Sequence, residues 1–203
     1  MYKKEWENEV LFFNNISLCL CFMVQKYFIA IIPPPNVLEK LTSLKQTIAH
    51  KYNIKGALLS PAHITLHMPF TWEEEKEEKL VSGLNSFAYH SAIQVTLKHF
   101  DCFEPRVVFV NVEKTTELQN LQSQLVKQCK QQMHLYNQAE DRRGFHPHIT
   151  VAFRDLKKAT FNALWQEYQH ELFDEAFECQ SFWLLKKQGQ FWELCKEFTF
   201  VKP

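Results

Sequence analysis

Apolar residues recur along this chain with two periods, and the alternation between those periods outlines its elements. Two β-branched apolar runs, Ala62 to Phe70 and His148 to Phe153, have the length and composition of buried strands. A third run, Lys26 to Ile32, predicts a central strand that ends at Pro33 to Pro35, because proline donates no hydrogen bond to a sheet. Three strands are therefore expected at well-separated places in the chain.

Between these strands, apolar residues return at every third or fourth position, which predicts helices with one buried face. Three of the four helices are preceded by residue pairs typical of capped N-termini, namely Asn36 with Glu39, Thr71 with Glu74, and Thr116 with Gln119. The apolar stripes are Val37, Leu41, Leu44 and Ile48; Leu80, Leu84, Phe87 and Ala88; Leu118, Leu121, Leu125 and Cys129; and Phe161, Leu164, Trp165 and Tyr168. Further strands are predicted from Val95 to near Phe103, at Arg106 to Val112, at Phe182 to Leu185 and at Phe191 to Phe200.

The same order of elements occurs twice, in residues of about 26–103 and 106–200. Each half has a strand, a helix, a strand, a helix and a strand. The middle strand of each half is apolar and contains a histidine at or near its start. Such repetition predicts an α/β (α+β) fold with two lobes related by a pseudo-twofold axis. We expect two mainly antiparallel sheets that flank a central cleft, with the helices outside. Residues 1–24 do not fit this pattern and are interpreted as an N-terminal extension. Whether this extension belongs to the native domain is left open, and the domain itself is expected to span 25–203.

The two central strands carry the same tetrapeptide pattern. It reads HITL at 63–66 and HITV at 148–151, 85 residues further on. Because side chains alternate between the faces of a strand, His63 and Thr65 share one face, and His148 and Thr150 share another. The aliphatic residues of each motif then point into a core. Each motif therefore offers one imidazole and one hydroxyl to a common cleft.

Two imidazoles that face each other across a cleft suit in-line phosphoryl transfer. One histidine accepts a proton from the attacking oxygen while the other donates a proton to the leaving oxygen, and an ordinary histidine pKa near 6.5 permits both roles. The hydroxyls of Thr65 and Thr150 can bind the non-bridging oxygens and the charge that grows on them. This chemistry requires no metal and no cofactor.

In these features the chain resembles the two-histidine (2H) phosphoesterase superfamily, and within it the bacterial 2′-5′ RNA ligase-like, or RNA 2′,3′-cyclic phosphodiesterase, proteins. The family motif is histidine, any residue, threonine or serine, and an apolar residue, twice; it is matched at His63 and at His148. The resemblance implies a bilobal fold and metal-independent chemistry at a 2′,3′-cyclic phosphate or a 2′-5′ linkage, with ligation as a further family activity. In many relatives an arginine stands five residues after the second histidine. Here that position is Phe153, and Arg154 follows it.

Several residues near the motifs are candidates for substrate binding. A basic and aromatic stretch before the second motif could clamp a terminal phosphate and stack on a base, and its alternative is a solvated loop. Aromatic residues at the ends of the motif strands could also stack on a base, although such residues are commonly part of a core. The candidates are Arg142, Arg143, Phe145, Phe70, Phe153 and Arg154.

Two other classes of protein remain open. His67 and His146 each lie an even number of residues from a motif histidine, so four histidines could gather into a metal site, as in a metal-binding protein or a metallohydrolase. No carboxylate lies close in sequence to complete such a site, and a metal would not explain the repeated threonine. The second alternative is a non-catalytic RNA-binding module. The net charge of zero argues against broad affinity for RNA.

The composition of the chain indicates how large a core it can bury and in which cellular compartment it is expected. With 203 residues, 46% of them hydrophobic, the chain can bury a substantial core as one folding unit. Its six cysteines include no CxxC pair, which favours reduced thiols and a cytoplasmic protein. The apolar stretch Val10 to Val24 is too short to span a bilayer. We expect a monomer without an obligate protein partner or membrane association, whose substrate is an RNA terminus or a cyclic nucleotide.

Overall fold

The computed structural model describes residues 23–137 and 144–200, in which the chain forms eight β-strands and four α-helices. The strands are β1 (Val24–Ile31), β2 (Ile64–Glu73), β3 (Ile93–Phe103), β4 (Val107–Val112), β5 (His148–Phe153), β6 (Asp174–Cys179), β7 (Ser181–Gln188) and β8 (Phe191–Thr199). The helices are α1 (Pro35–Tyr52), α2 (Glu77–Asn85), α3 (Thr116–Met133) and α4 (Lys158–Tyr168). A short 3₁₀ helix, Gly56–Leu59, precedes β2.

The strands form two antiparallel four-stranded sheets, which confirms the predicted α+β class. The strand order is β2-β1-β7-β8 in the first sheet and β5-β4-β3-β6 in the second. In each sheet the motif strand lies at one edge and pairs with the first strand of its own half, β2 with β1 and β5 with β4. The two motifs therefore occupy equivalent places in the two sheets.

The sheets do not divide the chain at the predicted lobe boundary of 26–103 and 106–200. β3 belongs to the first half by sequence, yet it pairs with β4 and β6 in the second sheet. Conversely, β7 and β8 from the C-terminal region complete the first sheet beside β1. The first half thus contributes one strand to the second sheet, and the second half contributes two strands to the first. These pairings depend on contacts distant in sequence, which local periodicity does not reveal. β6 was not predicted, because this edge strand buries only Phe177 and Cys179.

The predicted apolar stripes form the buried faces of the helices, with local corrections. In α1, Lys45 is buried instead of Leu44, which is half-buried. The predicted cap at Asn36 is wrong because α1 begins at Pro35, whose fixed φ already suits the first helical position. The cap of α3 is Thr115, one residue before the predicted position, and its side chain accepts a hydrogen bond from the Leu118 amide. The predicted cap at Thr71 is wrong because this residue is paired with β1.

The register of β2 against β1 shifts twice, around Leu66 and around Met68. Thr65 pairs with Ala30, but His67 pairs with Ile29 and Phe70 pairs with Tyr27. Such bulges interrupt the alternation of faces. As a result His67 is buried, at 1% exposure, on the side away from Thr65, whereas Met68 is exposed.

The cysteines and the helices bear on two further expectations, reduced thiols and the absence of membrane association. Cys102, Cys129, Cys179 and Cys195 are free thiols, while Cys19 and Cys21 lie outside the described residues, as does most of the predicted 1–24 extension. Within the described ranges, every helix is too short or too polar to cross a membrane.

Candidate active site

A cavity of about 260 Å³ lies between the two motif strands. Residues from both sheets and from the 3₁₀ helix line it, so the cavity is the predicted cleft. Six residues proposed from sequence lie in its wall: His63, Thr65, His148, Thr150, Phe153 and Arg154.

The two motif histidines are fixed by the same hydrogen bond. His63 Nδ1 lies 2.8 Å from the Pro61 carbonyl oxygen, and His148 Nδ1 lies 2.7 Å from the His146 carbonyl oxygen. A carbonyl oxygen can only accept, so each Nδ1 carries a proton and donates it to the residue two positions earlier. The neutral imidazoles therefore keep Nε2 unprotonated. The backbone selects one tautomer at both positions.

Equivalent aromatic rings support the two imidazoles. Phe28 on β1 packs against His63 with ring centroids 4.8 Å apart at 49°. Phe109 on β4 packs against His148 with centroids 4.8 Å apart at 50°. The pseudo-twofold relation therefore extends from the strand order to the packing of individual side chains.

The pKa of His63 lies far below its ordinary value. Burial lowers it to about 4, and the charges of Lys45 and His148 lower it further against the opposing effect of the Pro61 carbonyl. His63 is consequently neutral at pH 7 in the free protein. With Nδ1–H engaged, its Nε2 lone pair can accept a proton.

The motif threonines stand beside these histidines on the same side of each strand. Both are half-buried, Thr65 paired with Ala30 on β1 and Thr150 paired with Phe109 on β4. Their hydroxyls are hydrogen-bond donors held on paired strands, so they need little reorganisation to meet an anion. Two imidazoles and two hydroxyls thus border one space.

The segment after β5 is tied to the 3₁₀ helix of the other half. The Asp155 carboxylate accepts hydrogen bonds from the backbone amides of Lys55, at 2.5 Å, and Gly56, at 3.2 Å. A Cβ at Gly56 would overlap the Phe153 carbonyl oxygen, so this close approach requires glycine. Between these contacts, Arg154 lies in the left-handed region of backbone conformation, with φ of 74°. Its guanidinium lies 5.5 Å from the Phe153 ring centre. Strained backbone of this kind is frequent at binding sites.

Two other predicted binding residues, Phe70 and Phe145, lie outside the cavity wall. Phe70 is half-buried in contact with Tyr27 and His67, on the far side of the β2 bulges. Phe145 packs against the main apolar core. Neither lines the cavity, because their rings complete the core instead. Arg142 and Arg143 lie outside the described residues.

The positions of His67 and His146 contradict the alternative of a four-histidine metal site. His67 points into the core, and His146 packs edge-on against Phe103 and Phe109, with ring centroids 5.3 and 5.7 Å apart. In residues 23–137 and 144–200, no group of three or more His, Cys, Asp or Glu side chains is placed to hold a metal ion. The β2 bulge separates His67 from the motif pair.

Sequence reasoning missed Trp192, which lines the cavity, and Lys45, whose charge lowers the pKa of His63. Trp192 on β8 lines the cavity and meets Phe28 edge-on with centroids 4.7 Å apart, although β8 is distant in sequence from either motif. Its place could not be predicted without the strand exchange. Lys45 could have been found, because it lies four residues after Leu41 and three before Ile48, on the apolar face of α1.

The chain is similar to known proteins both in sequence and in structure. A model of the 2′-5′ RNA ligase superfamily matches residues 33–190. A protein of Geobacillus kaustophilus, described by its name as a candidate phosphoesterase, is 30% identical over 156 residues, which cover 75% of this chain and 82% of the relative. A second candidate phosphoesterase, from another Geobacillus strain, is 28% identical over 139 residues, or 67% of this chain and 73% of the relative.

Solved structures share the fold at low sequence identity. Escherichia coli LigT, crystallised with 3′-AMP, superimposes with a TM-score of 0.63 at 19% identity and covers 89% of this chain and 100% of its own. TT0787 of Thermus thermophilus superimposes with a TM-score of 0.59 at 18% identity, covering 87% and 98%. LigT has also been crystallised with ATP and with NADP+.

Proposed function

Because the chain belongs to the 2′-5′ RNA ligase superfamily, we propose that it is a metal-independent phosphoesterase that hydrolyses a 2′,3′-cyclic phosphate on an RNA terminus or a nucleotide. The observation that carries this proposal is the paired arrangement of His63 and His148 in one cavity, each with Nδ1 bonded to a carbonyl. A hydrolase of this kind acts on a nucleotide substrate, and LigT, which has the same fold, was crystallised with nucleotides.

In the proposed reaction, water attacks the phosphorus of the cyclic ester. His63, neutral at pH 7, accepts a water proton at Nε2, and His148 in its protonated form donates a proton to the ribose oxygen that leaves. One P–O bond forms and one breaks, and the product is a ribose phosphate monoester. Afterwards the two histidines have exchanged protonation states, and exchange with solvent restores them.

The remaining residues bind the phosphate and the base. The hydroxyls of Thr65 and Thr150 donate to the non-bridging oxygens, whose charge grows in the transition state. Arg154 adds a fixed positive charge at the cavity wall, and Phe153, at 39% exposure, offers a ring for stacking. Arg142 and Arg143 stay predicted phosphate contacts. The same site would also accommodate a 2′-5′ linkage, whose cleavage or formation uses the same acid and base.

The test is hydrolysis of a nucleoside 2′,3′-cyclic phosphate in excess EDTA, by the parent protein and by His63→Ala and His148→Ala. Loss of a positioned acid or base should lower kcat by about 10²–10⁴-fold. His90→Ala is the matched control, because this histidine is exposed and outside the cavity. Turnover that requires a metal, or that survives in either motif variant, would contradict the proposal. Tight RNA binding without any turnover would instead favour the non-catalytic RNA-binding module.

A further inference from the structure

A second cavity of about 300 Å³ adjoins the first. The two cavities share Leu59, Ser60 and Trp192 in their walls, so they meet along one border. Polar side chains of α1, among them Lys45 and Gln46, line the second cavity together with the aromatic rings of β8. The motif histidines and threonines do not line it.

Lys45 is an unusual residue for the buried face of a helix. It is only 4% exposed, and its ammonium donates to the Ser60 carbonyl at 2.7 Å. In the described part of the chain, no carboxylate forms an ion pair with it. By contrast, the buried face of α3, the corresponding helix of the second half, is entirely apolar. A buried ammonium without a counter-ion is costly, and a helix in this position packs without one.

Further positive charges stand around the border between the cavities. The Lys187 ammonium lies 5.2 Å from the centre of the Trp192 ring. Burial lowers the pKa of Lys187, and so do the nearby charges of Arg154 and Lys26. Cations that lower one another's pKa are stabilised when an anion binds among them. Positive charge therefore lies both in the wall of the second cavity, at Lys45, and against the Trp192 ring, at Lys187, although the net charge of the chain is zero.

We propose that the Lys45 cavity is a second anion subsite, which binds another phosphate of the same substrate molecule while the cyclic phosphate occupies the two-histidine cavity. This inference rests on the proposed function and deepens it. Trp192, at the border, then packs against the nucleoside that joins the two phosphates. The second phosphate is either the terminal 5′-phosphate of a mononucleotide or the next phosphodiester of an RNA chain.

Three substrates distinguish these sources: adenosine 2′,3′-cyclic phosphate, its 5′-phosphorylated form, and a dinucleotide with a terminal 2′,3′-cyclic phosphate. In the parent protein, a second phosphate should raise kcat/KM by roughly tenfold or more, as expected for a charge-assisted hydrogen bond. A gain with the 5′-phosphorylated mononucleotide alone identifies a terminal phosphate. A gain with the dinucleotide identifies an RNA chain.

Variants of α1 test whether this gain arises in the second cavity. Lys45→Met should remove most of it, seen as a lower ratio of kcat/KM between substrates with and without the second phosphate. Gln46→Glu places a negative charge in the cavity wall on an exposed residue and should lower the same ratio severalfold. Thr47→Glu is its matched control, because Thr47 is exposed on the same helix but does not line the cavity.

An equal ratio in the parent, Lys45→Met and Gln46→Glu proteins would overturn the inference, as would the absence of any gain in the parent. If no cyclic phosphate is hydrolysed, the proposed function fails first. The subsite is then tested by calorimetry with adenosine 2′-phosphate and adenosine 2′,5′-bisphosphate. Tighter binding of the bisphosphate that is lost in Gln46→Glu but kept in Thr47→Glu supports the subsite, and equal binding rejects it.

Discussion

Lys45→Met also gives a direct measure of how strongly the fold disfavours a charge at this position. Burial lowers the pKa of Lys45 from 10.5 to about 8. At roughly 1.4 kcal/mol per pKa unit, the protonated side chain costs the folded state about 3 kcal/mol. Methionine has similar length and no charge, so the variant avoids this cost but leaves the Ser60 carbonyl without its donor, at about 1–3 kcal/mol. Near pH 7 the variant should therefore be at least as stable as the parent.

The pH dependence carries the sharper expectation. The folded state releases the Lys45 proton at a lower pH than the unfolded chain does, so between pH 8 and 10.5 the unfolded chain binds more protons. The contribution of Lys45 to the free energy of unfolding of the parent therefore rises between pH 8 and 10.5 and is lowest below pH 8. Between pH 7 and pH 10 the parent should gain about 2 kcal/mol relative to Lys45→Met.

Urea unfolding followed by tryptophan fluorescence at pH 7, 8, 9 and 10 measures this difference. The other titratable groups are present in both proteins, so their contributions cancel in the comparison. A difference in the free energy of unfolding that changes by less than about 0.5 kcal/mol over the range would mean that the Lys45 ammonium is solvated, because only a shifted pKa produces the slope. A solvated ammonium at this position would also remove the structural basis of the proposed anion subsite.

Three further perturbations test the two-histidine cavity. Thr65→Val and Thr150→Val should each lower kcat by about 10²-fold, because each removes a donor to the developing charge; steady-state kinetics measures this, and an unchanged kcat would refute the role. Gly56→Ala disrupts the close contact with the Phe153 carbonyl and should destabilise the fold by about 1–3 kcal/mol while lowering kcat/KM. Urea unfolding and kinetics check this, with Ser43→Ala as control because Ser43 is exposed and lines neither cavity. Burial of neutral His63 disfavours its protonation, so its contribution to stability is present above pH 6.5 and is lost as pH falls towards 4. His63→Gln should therefore unfold at a lower pH than the parent in an acid titration, and equal midpoints of acid unfolding would contradict this.

Features governed by local sequence were predictable. The strand period placed Ile64 and Ile149 in the core and left the motif histidines and threonines on the opposite faces, as the structure has them. Repetition of the whole frame, rather than either motif alone, indicated a shared cleft. Only Ala152 separates Phe153 and Arg154 from the second motif, so their position at the cavity wall could also be inferred.

Features governed by contacts between distant parts of the sequence could not be predicted. The bulges of β2 turn His67 into the core, and strict alternation placed it instead beside His63. Trp192 reaches the cavity only because β8 joins the sheet of the first half. Such pairings depend on which strand edges meet in three dimensions, and periodicity within one segment carries no information about them.

The exchange of strands between halves also has a consequence for synthesis on the ribosome. The edge of β1 that faces β7 is completed only when Ser181–Gln188 arrives, long after β1 in the chain. Contacts so distant in sequence slow folding, because a long loop must close before they form. The N-terminal half therefore leaves the exit tunnel with an open sheet edge and an incomplete wall at the future cleft. Nascent chains of this protein should need protection of that edge until Ser181–Gln188 has emerged.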